Sequence, residues 1–462
     1  MSPSSGPPTL PGPDGEGLGL RRFARDSSYT LIRQVVAIVL GMAISILLAR
    51  GLGVEGRGVY AVALLLPRTL VTFLNLGVAP ATVYFVGRGD RELEAAVRGN
   101  IALAFWNSLF AVLVGVIVIV WGGEALFPSA PIELLFISLA SAPLLLHTGY
   151  LLAILQGLQD FRAYNWVTMI PQLVMLILVL LLVWWIPGGP LGALAAFLGG
   201  NLAALIALIA LLMQRSPTKR IFVLWLDWAY TRQVMGYGLR AHVSNIIAFL
   251  NYRADMFLLN LFTGAAAVGV YSVAVGLAER MWIVSSSVST VMLPRIASLD
   301  GEETKRRQLT PLIARHVLWF SLAMGVVTWA LARWGIVLLY SDAYLESATA
   351  LRLLLPGIVA LSFSKIMAND IAGRGRPEIN SRQSAIAFGV NIIANLILIP
   401  RLGVGGAALA TTISYSLLTV LKLVVYTRIA QVPWTDVLLL NREDWRRLGM
   451  ASRLVMAAMR RR

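Results

Sequence analysis

Hydrophobic residues recur in long runs along almost the whole chain, and polar residues are concentrated in the short stretches between them. Because a bilayer has about 30 Å of hydrocarbon, a helix needs about 20 apolar residues to cross it. Twelve segments come close to that requirement: 29–50, 58–86, 101–121, 132–156, 164–185, 191–213, 236–262, 266–293, 312–339, 348–371, 384–399 and 404–427. The pattern therefore predicts an all-α polytopic membrane protein with twelve transmembrane helices.

The composition agrees with this pattern and excludes some classes of function. Of the 462 residues, 58% are hydrophobic and 13% are charged, whereas soluble proteins are about 45–50% apolar and about 25% charged. No stretch is polar enough for a large soluble catalytic domain, so we do not expect an enzyme. The absence of cysteine excludes disulfides, thiolate zinc sites and a cysteine nucleophile. The isolated histidines are predicted to be satisfied polar groups within helices, not metal ligands; they are His147, His242 and His316.

The net charge of +16 comes from 39 Lys and Arg against 23 Asp and Glu. Clusters such as Arg21, Arg22 and Arg25, or Lys305, Arg306 and Arg307, all fall on one side of the predicted membrane. Because basic loops are retained in the cytoplasm, both termini are predicted to be cytoplasmic. The positive charge therefore indicates cytoplasmic loops and not a nucleic-acid partner.

The spans divide the chain into two six-helix lobes with flanking segments. Residues 29–214 form the predicted N-lobe, and 236–428 the C-lobe, joined by a cytoplasmic linker at 215–235. The Pro-, Ser- and Gly-rich start of the chain predicts a disordered cytoplasmic tail over 1–28. Residues 429–462 combine Leu and Met with Arg, which is typical of a basic amphipathic helix on anionic lipid headgroups.

The two predicted lobes share an internal repeat. Residues 58–63 (GVYAVA) recur as 269–274 (GVYSVA), and the Ile186-Pro187 pair recurs as Ile399-Pro400. Since each copy has an even number of spans, both enter from the same side, which predicts parallel lobes related by a pseudo-two-fold axis along the membrane normal. Such an architecture is typical of transporters with a site between the halves.

A glycine-rich loop at 51–59 (GLGVEGRGV) satisfies the pattern of a dinucleotide-binding fingerprint. That motif requires a preceding β-strand, whereas this loop follows a predicted transmembrane helix. We therefore predict that its glycines cap one helix and let the next approach a neighbour closely.

Charged residues inside the spans are the most informative candidates, because each costs about 2.5–3.5 kcal/mol at the membrane centre on insertion scales. The predicted substrate-binding cations are Arg33, Arg68, Arg253, Arg280, Arg352 and Lys365. The candidates for a proton or sodium coupling site are Asp255, Glu279 and Asp370. Helical spacing also predicts a cavity wall formed by Arg240, Ser244, Asn251 and Asp255. The alternative is that these charges form structural ion pairs between helices.

A surplus of arginine favours an anionic ligand, since a guanidinium binds phosphate in bidentate fashion.

The internal repeat also relates two opposite charges. The sequence displacement that aligns Tyr60 with Tyr271 aligns Arg68 with Glu279. We therefore expect these two charges to pair when no substrate is bound. In the alternative, Glu279 neutralises an arginine of its own lobe.

Three stretches carry a family resemblance: 47–90, 252–281 and 399–414. They resemble the polysaccharide-transporter family of the MOP (multidrug/oligosaccharidyl-lipid/polysaccharide exporter) superfamily. The resemblance implies two six-helix lobes in a MATE-like V shape around a cationic cavity that opens alternately to either side. It also implies a flippase that moves a polyprenyl-pyrophosphate-linked oligosaccharide across the bacterial inner membrane for surface polysaccharide biosynthesis.

The partners implied are this lipid-linked substrate, membrane lipids, and a polysaccharide polymerase with chain-length machinery; no cofactor beyond a coupling proton or sodium ion is expected. Three alternatives remain. A cation-coupled multidrug exporter of the MATE type would need acidic residues to dominate the cavity. A lipid II flippase usually carries two further C-terminal helices. A membrane-embedded glycan polymerase would need a large external loop, and the external loops here are short.

Overall fold

The structure is a computed structural model that describes residues 13–89, 93–215, 225–298, 302–441 and 444. It is 91% helical, and no β-strand occurs among the described residues. Residues 1–12 of the predicted tail, 216–224 of the predicted linker and the basic residues 445–462 lie outside the described residues.

Fifteen α-helices make up the described chain. They are α1 (Pro13–Ala63), α2 (Leu65–Leu74), α3 (Val78–Gly87), α4 (Leu93–Leu126), α5 (Ile132–Leu139), α6 (Ser141–Gly157), α7 (Phe161–Val179), α8 (Gly189–Arg215), α9 (Trp228–Thr263), α10 (Ala265–Glu279), α11 (Trp282–Ser298), α12 (Glu303–Leu339), α13 (Leu345–Gly373), α14 (Pro377–Ala430) and α15 (Trp434–Leu438). A π-helical turn over Leu180–Trp185 extends α7.

All twelve predicted segments lie in these helices, which confirms the all-α polytopic class. Eight helices are long and apolar enough to cross a membrane on length and composition. The number is lower than twelve because α1 and α14 each join two predicted segments, at Gly53 and Gly403. In addition, α9, and α10 and α11 of the eighth segment, are not among the eight.

One predicted segment differs from the structure. The second segment is not continuous, because it begins in α1 and is interrupted again between α2 and α3 at Asn75 to Gly77. The first helix starts at Pro13, and the predicted disordered tail over 1–28 stays a prediction. Proline is well suited to the first position of a helix, where its missing N–H leaves no hydrogen bond unmade.

One compact unit comprises the described parts of Met1–Leu47, Leu74–Val114 and Leu139–Arg240. Its core includes Leu151 and Ile154 of α6 packed with Leu208 of α8. The buried side-chain amide of Asn100 in α4 donates to the carbonyl oxygen of Tyr150 in α6 at 2.8 Å. We refer to these residues as the first unit.

The second unit comprises the described parts of Leu48–Phe73, Gly115–Ser138 and Ala241–Arg462. Its core includes Met292, Phe363, Ile366, Tyr426 and Val437, which come from α11, α13, α14 and α15. The residues that the site requires lie mainly in this unit. The predicted lobe boundaries at 29–214 and 236–428 stay a prediction.

The internal repeat is visible in the backbone of the second unit. Gly53 has φ 66° and ψ −177°, and Gly264, its counterpart at the same displacement, has φ 90° and ψ −176°. Both conformations are readily adopted only by glycine. The interpretation of the glycine-rich loop as a helix-ending turn is therefore confirmed.

Candidate functional site

An ion pair between α9 and α10 lies at the centre of the candidate site. Arg253 donates to both carboxylate oxygens of Glu279, with Nη1 to Oε1 at 2.9 Å and Nη2 to Oε2 at 3.3 Å. The two side chains are 25% and 27% exposed. Because the pair is bidentate but not sealed from its surroundings, an anion could compete with the carboxylate for the guanidinium.

Three further cations of the second unit accompany this pair. Arg280 follows Glu279 at the end of α10, and its Nη1 donates to the carbonyl oxygen of Gly276 at 2.5 Å. Lys365 of α13 and the exposed Arg68 of α2 both lie within electrostatic range of Glu279. Within the described part of the chain, Arg253, Lys365 and Arg68 therefore act electrostatically on one partly exposed carboxylate, and Arg280 follows it in sequence.

Aromatic side chains form one side of this cluster. The ammonium of Lys365 lies 4.1 Å from the ring centroid of Trp282, a cation–π contact. The Trp282 ring is 5.2 Å from Tyr252 and 6.2 Å from Tyr415. Sequence reasoning missed these aromatics, although Tyr252 and Trp282 are neighbours of the charged residues Arg253 and Arg280.

Asp255 is buried beside the ion pair and does not face open space. With 2% of its surface exposed, it accepts hydrogen bonds from Tyr271 Oη at 2.5 Å, Thr411 Oγ1 at 3.0 Å and the backbone N–H of Met256 at 2.7 Å. These bonds connect α9 to α10 and α14. A role for Asp255 as a coupling-ion ligand stays a prediction.

The predicted cavity wall on α9 differs from the structure. Asn251 is 2% exposed and accepts a hydrogen bond from Ser414 at 3.2 Å, and Ser244 contacts Ser381 at 2.6 Å. Both residues contact α14, so this face of α9 packs against another helix of the second unit. The side chain of Arg240 lies outside the described residues.

Arg33 belongs to the first unit, where its Nη1 donates to Thr168 Oγ1 at 3.4 Å. Asp370, a coupling-ion candidate of the second unit, is buried. It accepts hydrogen bonds from Thr310 Oγ1 at 2.5 Å and from Arg374. Arg374 also pairs with Glu303 at 2.9 Å. Asp370 therefore matches the structural ion-pair alternative.

Arg352 is not part of the cation cluster. Its guanidinium carbon lies 4.8 Å from the ring centroid of Trp329, and its Nε donates to the Trp329 carbonyl oxygen at 3.1 Å. Its role as a substrate-binding cation stays a prediction, because depth within a span does not tell which face of the helix a side chain occupies.

In this conformation, Arg253 occupies the carboxylate that was expected to pair with Arg68. Glu279 directs both carboxylate oxygens to Arg253 of the neighbouring helix. This is the alternative in which Glu279 neutralises an arginine of its own lobe.

Comparison with known families identifies the class of protein. Residues 23–300, more than half of the chain, match the family described as "Polysaccharide biosynthesis protein". The chain belongs to this family, and the resemblance noted in the sequence is confirmed.

Two similar proteins come from Methanocaldococcus jannaschii and Haloferax volcanii. The uncharacterized membrane protein MJ1068 of Methanocaldococcus jannaschii is 26% identical over 196 residues, covering 42% of this chain and 38% of the relative. The probable low-salt glycan biosynthesis flippase Agl15 of Haloferax volcanii is 23% identical over 195 residues, covering 41% of each chain. The matches thus span about two fifths of these relatives.

Solved structures with the same fold come from the MOP superfamily. The lipid II flippase MurJ in an inward closed conformation aligns with a TM-score of 0.71 at 16% identity, covering 88% of each chain. An inward-facing MATE multidrug resistance transporter aligns with a TM-score of 0.65 at 18% identity, covering 85% of this chain and 94% of the transporter. This multi-pass membrane protein therefore has the two-lobed fold of MOP-superfamily transporters.

Proposed function

We propose that the chain is a flippase that translocates a polyprenyl-pyrophosphate-linked oligosaccharide across the bacterial inner membrane for surface polysaccharide biosynthesis, with both termini in the cytoplasm. The observation that carries the proposal is the cation surplus around the exposed Arg253–Glu279 pair. The similarity to Agl15, a probable low-salt glycan biosynthesis flippase, supports the same substrate class.

The pyrophosphate is proposed to displace Glu279 from Arg253. A guanidinium offers phosphate the same two parallel N–H donors that it offers a carboxylate. Arg280, Lys365 and Arg68 add positive charge around the incoming anion, which carries more charge than Glu279. In the empty site, Glu279 keeps Arg253 paired, since an isolated charge away from water is strongly unfavourable.

This exchange couples binding to conformational change. A ligand shifts a protein toward the conformation that binds it better, and here that conformation is the one in which the Arg253–Glu279 pair is broken. Of the three coupling candidates, Glu279 is partly exposed, whereas Asp255 and Asp370 are buried. Protonation of Glu279 would release Arg253 to the substrate, which makes Glu279 our preferred coupling residue.

The main competing function, a cation-coupled drug exporter, requires a cavity dominated by acidic groups. The described cluster has the opposite balance, because Arg253, Lys365 and Arg68 all act electrostatically on Glu279. A polysaccharide polymerase and chain-length machinery remain predicted partners.

The proposal is tested with protein reconstituted into liposomes, using undecaprenyl pyrophosphate as the binding probe and a lipid-linked oligosaccharide as the transport substrate. The Arg253→Ala/Glu279→Gln double variant removes the ion pair without leaving a buried charge unpaired. We expect this variant and Arg280→Ala to bind the probe at least about tenfold more weakly, equivalent to about 1.4 kcal/mol, and to lose transport.

Arg401→Ala is the matched control, since Arg401 is an exposed cation of α14 that takes no part in the cluster. Transport at the control rate by protein lacking both Arg253 and Arg280 would overturn the proposal. Loss of folded protein in the Arg280→Ala variant would instead favour a structural role.

A further inference from the structure

An apolar groove lies on the second unit between α12, α13 and α14. Its cavity volume is about 430 Å³, which falls within the usual range of ligand pockets. Leu322 and Val326 of α12 face Leu355 and Val359 of α13 across it, and Leu438 lies at one end. Val326 is 59% exposed, so the groove is open along its length.

The groove faces the hydrocarbon of the bilayer. Both α12 and α13 are long and apolar enough to span the membrane. The outer surface of α12 exposes large apolar side chains, including Phe320, Val327 and Leu331. No water is available there to fill an open groove, and an empty one would forfeit dispersion contacts along its walls. A hydrocarbon chain is therefore the natural occupant.

The groove is also long enough for such a chain. Its lining runs along α12 from Leu318 to Trp329, which corresponds to about 16 Å at the rise of an α-helix. Gly325 lies in the middle of this stretch, where an added Cβ would come within 3.0 Å of Val359. Because Gly325 has no side chain, the groove is deeper at this position.

A cation marks the Trp329 end of the groove. Arg352 stacks over the Trp329 ring at 4.8 Å and uses its Nε to bond the Trp329 carbonyl oxygen. No acidic side chain among the described residues forms a salt bridge with it. A cation on a membrane-facing surface is unfavourable unless an anion accompanies it, and a guanidinium with free N–H groups is suited to a phosphate.

We propose that this groove binds an anionic phospholipid, with one acyl chain along α12 and α13 and the phosphate on Arg352. The bilayer supplies both parts of this ligand in one molecule, and negative charge complements Arg352. The site is separate from the Arg253–Glu279 cluster, so it does not depend on the proposed flippase activity.

The test uses the purified full-length protein and native mass spectrometry, with phosphatidylglycerol and phosphatidylethanolamine of identical acyl chains as probes. We expect the wild type to bind phosphatidylglycerol about tenfold more tightly. Arg352→Ala should lower phosphatidylglycerol affinity to that of phosphatidylethanolamine, and Arg352→Lys should keep most of the preference. Arg401→Ala, which removes an exposed cation elsewhere, should change neither affinity.

The chain-binding part is tested by filling the groove. Ala360 lines the groove, whereas Ala330 is exposed on α12 outside it. Ala360→Phe should weaken binding of both lipids, and Ala330→Phe should not. If Arg352→Ala does not fold, the two other variants test the site. Arg352→Lys should keep most of the preference for phosphatidylglycerol, whereas Ala360→Phe should weaken binding of both lipids.

Three outcomes would overturn the assignment. The first is unchanged lipid binding in Ala360→Phe. The second is equal affinity of the wild type for the two phospholipids. The third is displacement of phosphatidylglycerol by undecaprenyl phosphate at about tenfold lower concentration with the same dependence on Arg352, which would identify the occupant as the substrate's own lipid.

Discussion

Gly58 of α1 and Gly269 of α10, which occupy equivalent positions in the two halves of the internal repeat, lie at the same helix–helix contact. A Cβ on Gly58 would lie 1.7 Å from the carbonyl oxygen of Ala265, and a Cβ on Gly269 would lie 2.0 Å from that of Val54. Each backbone therefore occupies the space that a side chain on the other would need. The repeat has conserved a small residue on both sides of one crossing, which is how membrane helices achieve close packing.

Replacing either glycine with alanine should force these helices apart. We expect Gly58→Ala and Gly269→Ala each to destabilise this contact by about 1–3 kcal/mol, the usual effect of overpacking. Thermal unfolding in detergent measures the change. Gly389→Ala is the control, because no atom lies within 4 Å of an added Cβ there. Equal stability of all three variants would show that the close contact is not required.

The hydrophobic pattern predicted the transmembrane segments but not their interruptions. The break after α2 depends on Asn75, whose side chain accepts from the N–H of Gly77 at 2.8 Å. Its carbonyl oxygen accepts from Tyr150 Oη at 2.9 Å. The second contact joins residues far apart in sequence, so local periodicity cannot predict it.

The candidate site was predicted by residue type but not by helix face. Charges inside the spans pointed to Arg253 and Glu279, which the structure brings together. The same reasoning placed Asn251 in a cavity wall, although it is buried against α14. Helical spacing tells which residues share a face, but only packing tells what that face meets. Tyr271 was known from the repeat, yet its contact with Asp255 requires the tertiary structure.

The proposed competition at Arg253 predicts that Glu279→Gln strengthens substrate binding. Glutamine keeps the shape of the side chain but not its charge, so the pyrophosphate no longer displaces a carboxylate. We expect undecaprenyl pyrophosphate affinity to rise by about fivefold to tenfold, measured by equilibrium binding to purified protein, as for a typical coupling of 1–3 kcal/mol. Glu346→Gln, at an exposed position on α13, should leave affinity unchanged. Weaker binding by Glu279→Gln would contradict the competition.

The buried carboxylate of Asp255 should stabilise the second unit through its two side-chain donors. Tyr271→Phe and Thr411→Val each remove one hydrogen bond and leave the carboxylate buried. We expect each to lower the free energy of unfolding by about 1–3 kcal/mol, because a buried acceptor loses one of its hydrogen-bond partners. Thr412→Val, which removes a bond to a carbonyl oxygen instead, should have a smaller effect. If both donors can be removed without loss of stability while transport fails, Asp255 serves the transport cycle and not the fold.

The ion pair between Asp160 and Arg215 predicts a pH-dependent contribution to stability outside the membrane-spanning segments. Burial raises the pKa of Asp160, but the N–H of Ala163 and the guanidinium of Arg215 outweigh it, so the pKa is lowered overall. These partners lie at 3.0 Å and 2.5 Å. A carboxyl group whose pKa is lowered by folding stabilises the protein above its unfolded pKa of about 3.9, and this contribution is lost as the pH falls through the folded value.

Asp160→Asn should therefore lower the unfolding temperature at pH 7 and have progressively less effect below about pH 4. Asparagine can still cap α7, so the difference reports the charge and not the cap. Asp227→Asn is the matched control, because Asp227 caps α9 through the N–H of Tyr230 at the same 3.0 Å and forms no salt bridge among the described residues. Thermal unfolding of both variants at several pH values measures the contrast. The same loss for Asp160→Asn at pH 3 as at pH 7 would show that its ion pair with Arg215 does not stabilise the fold.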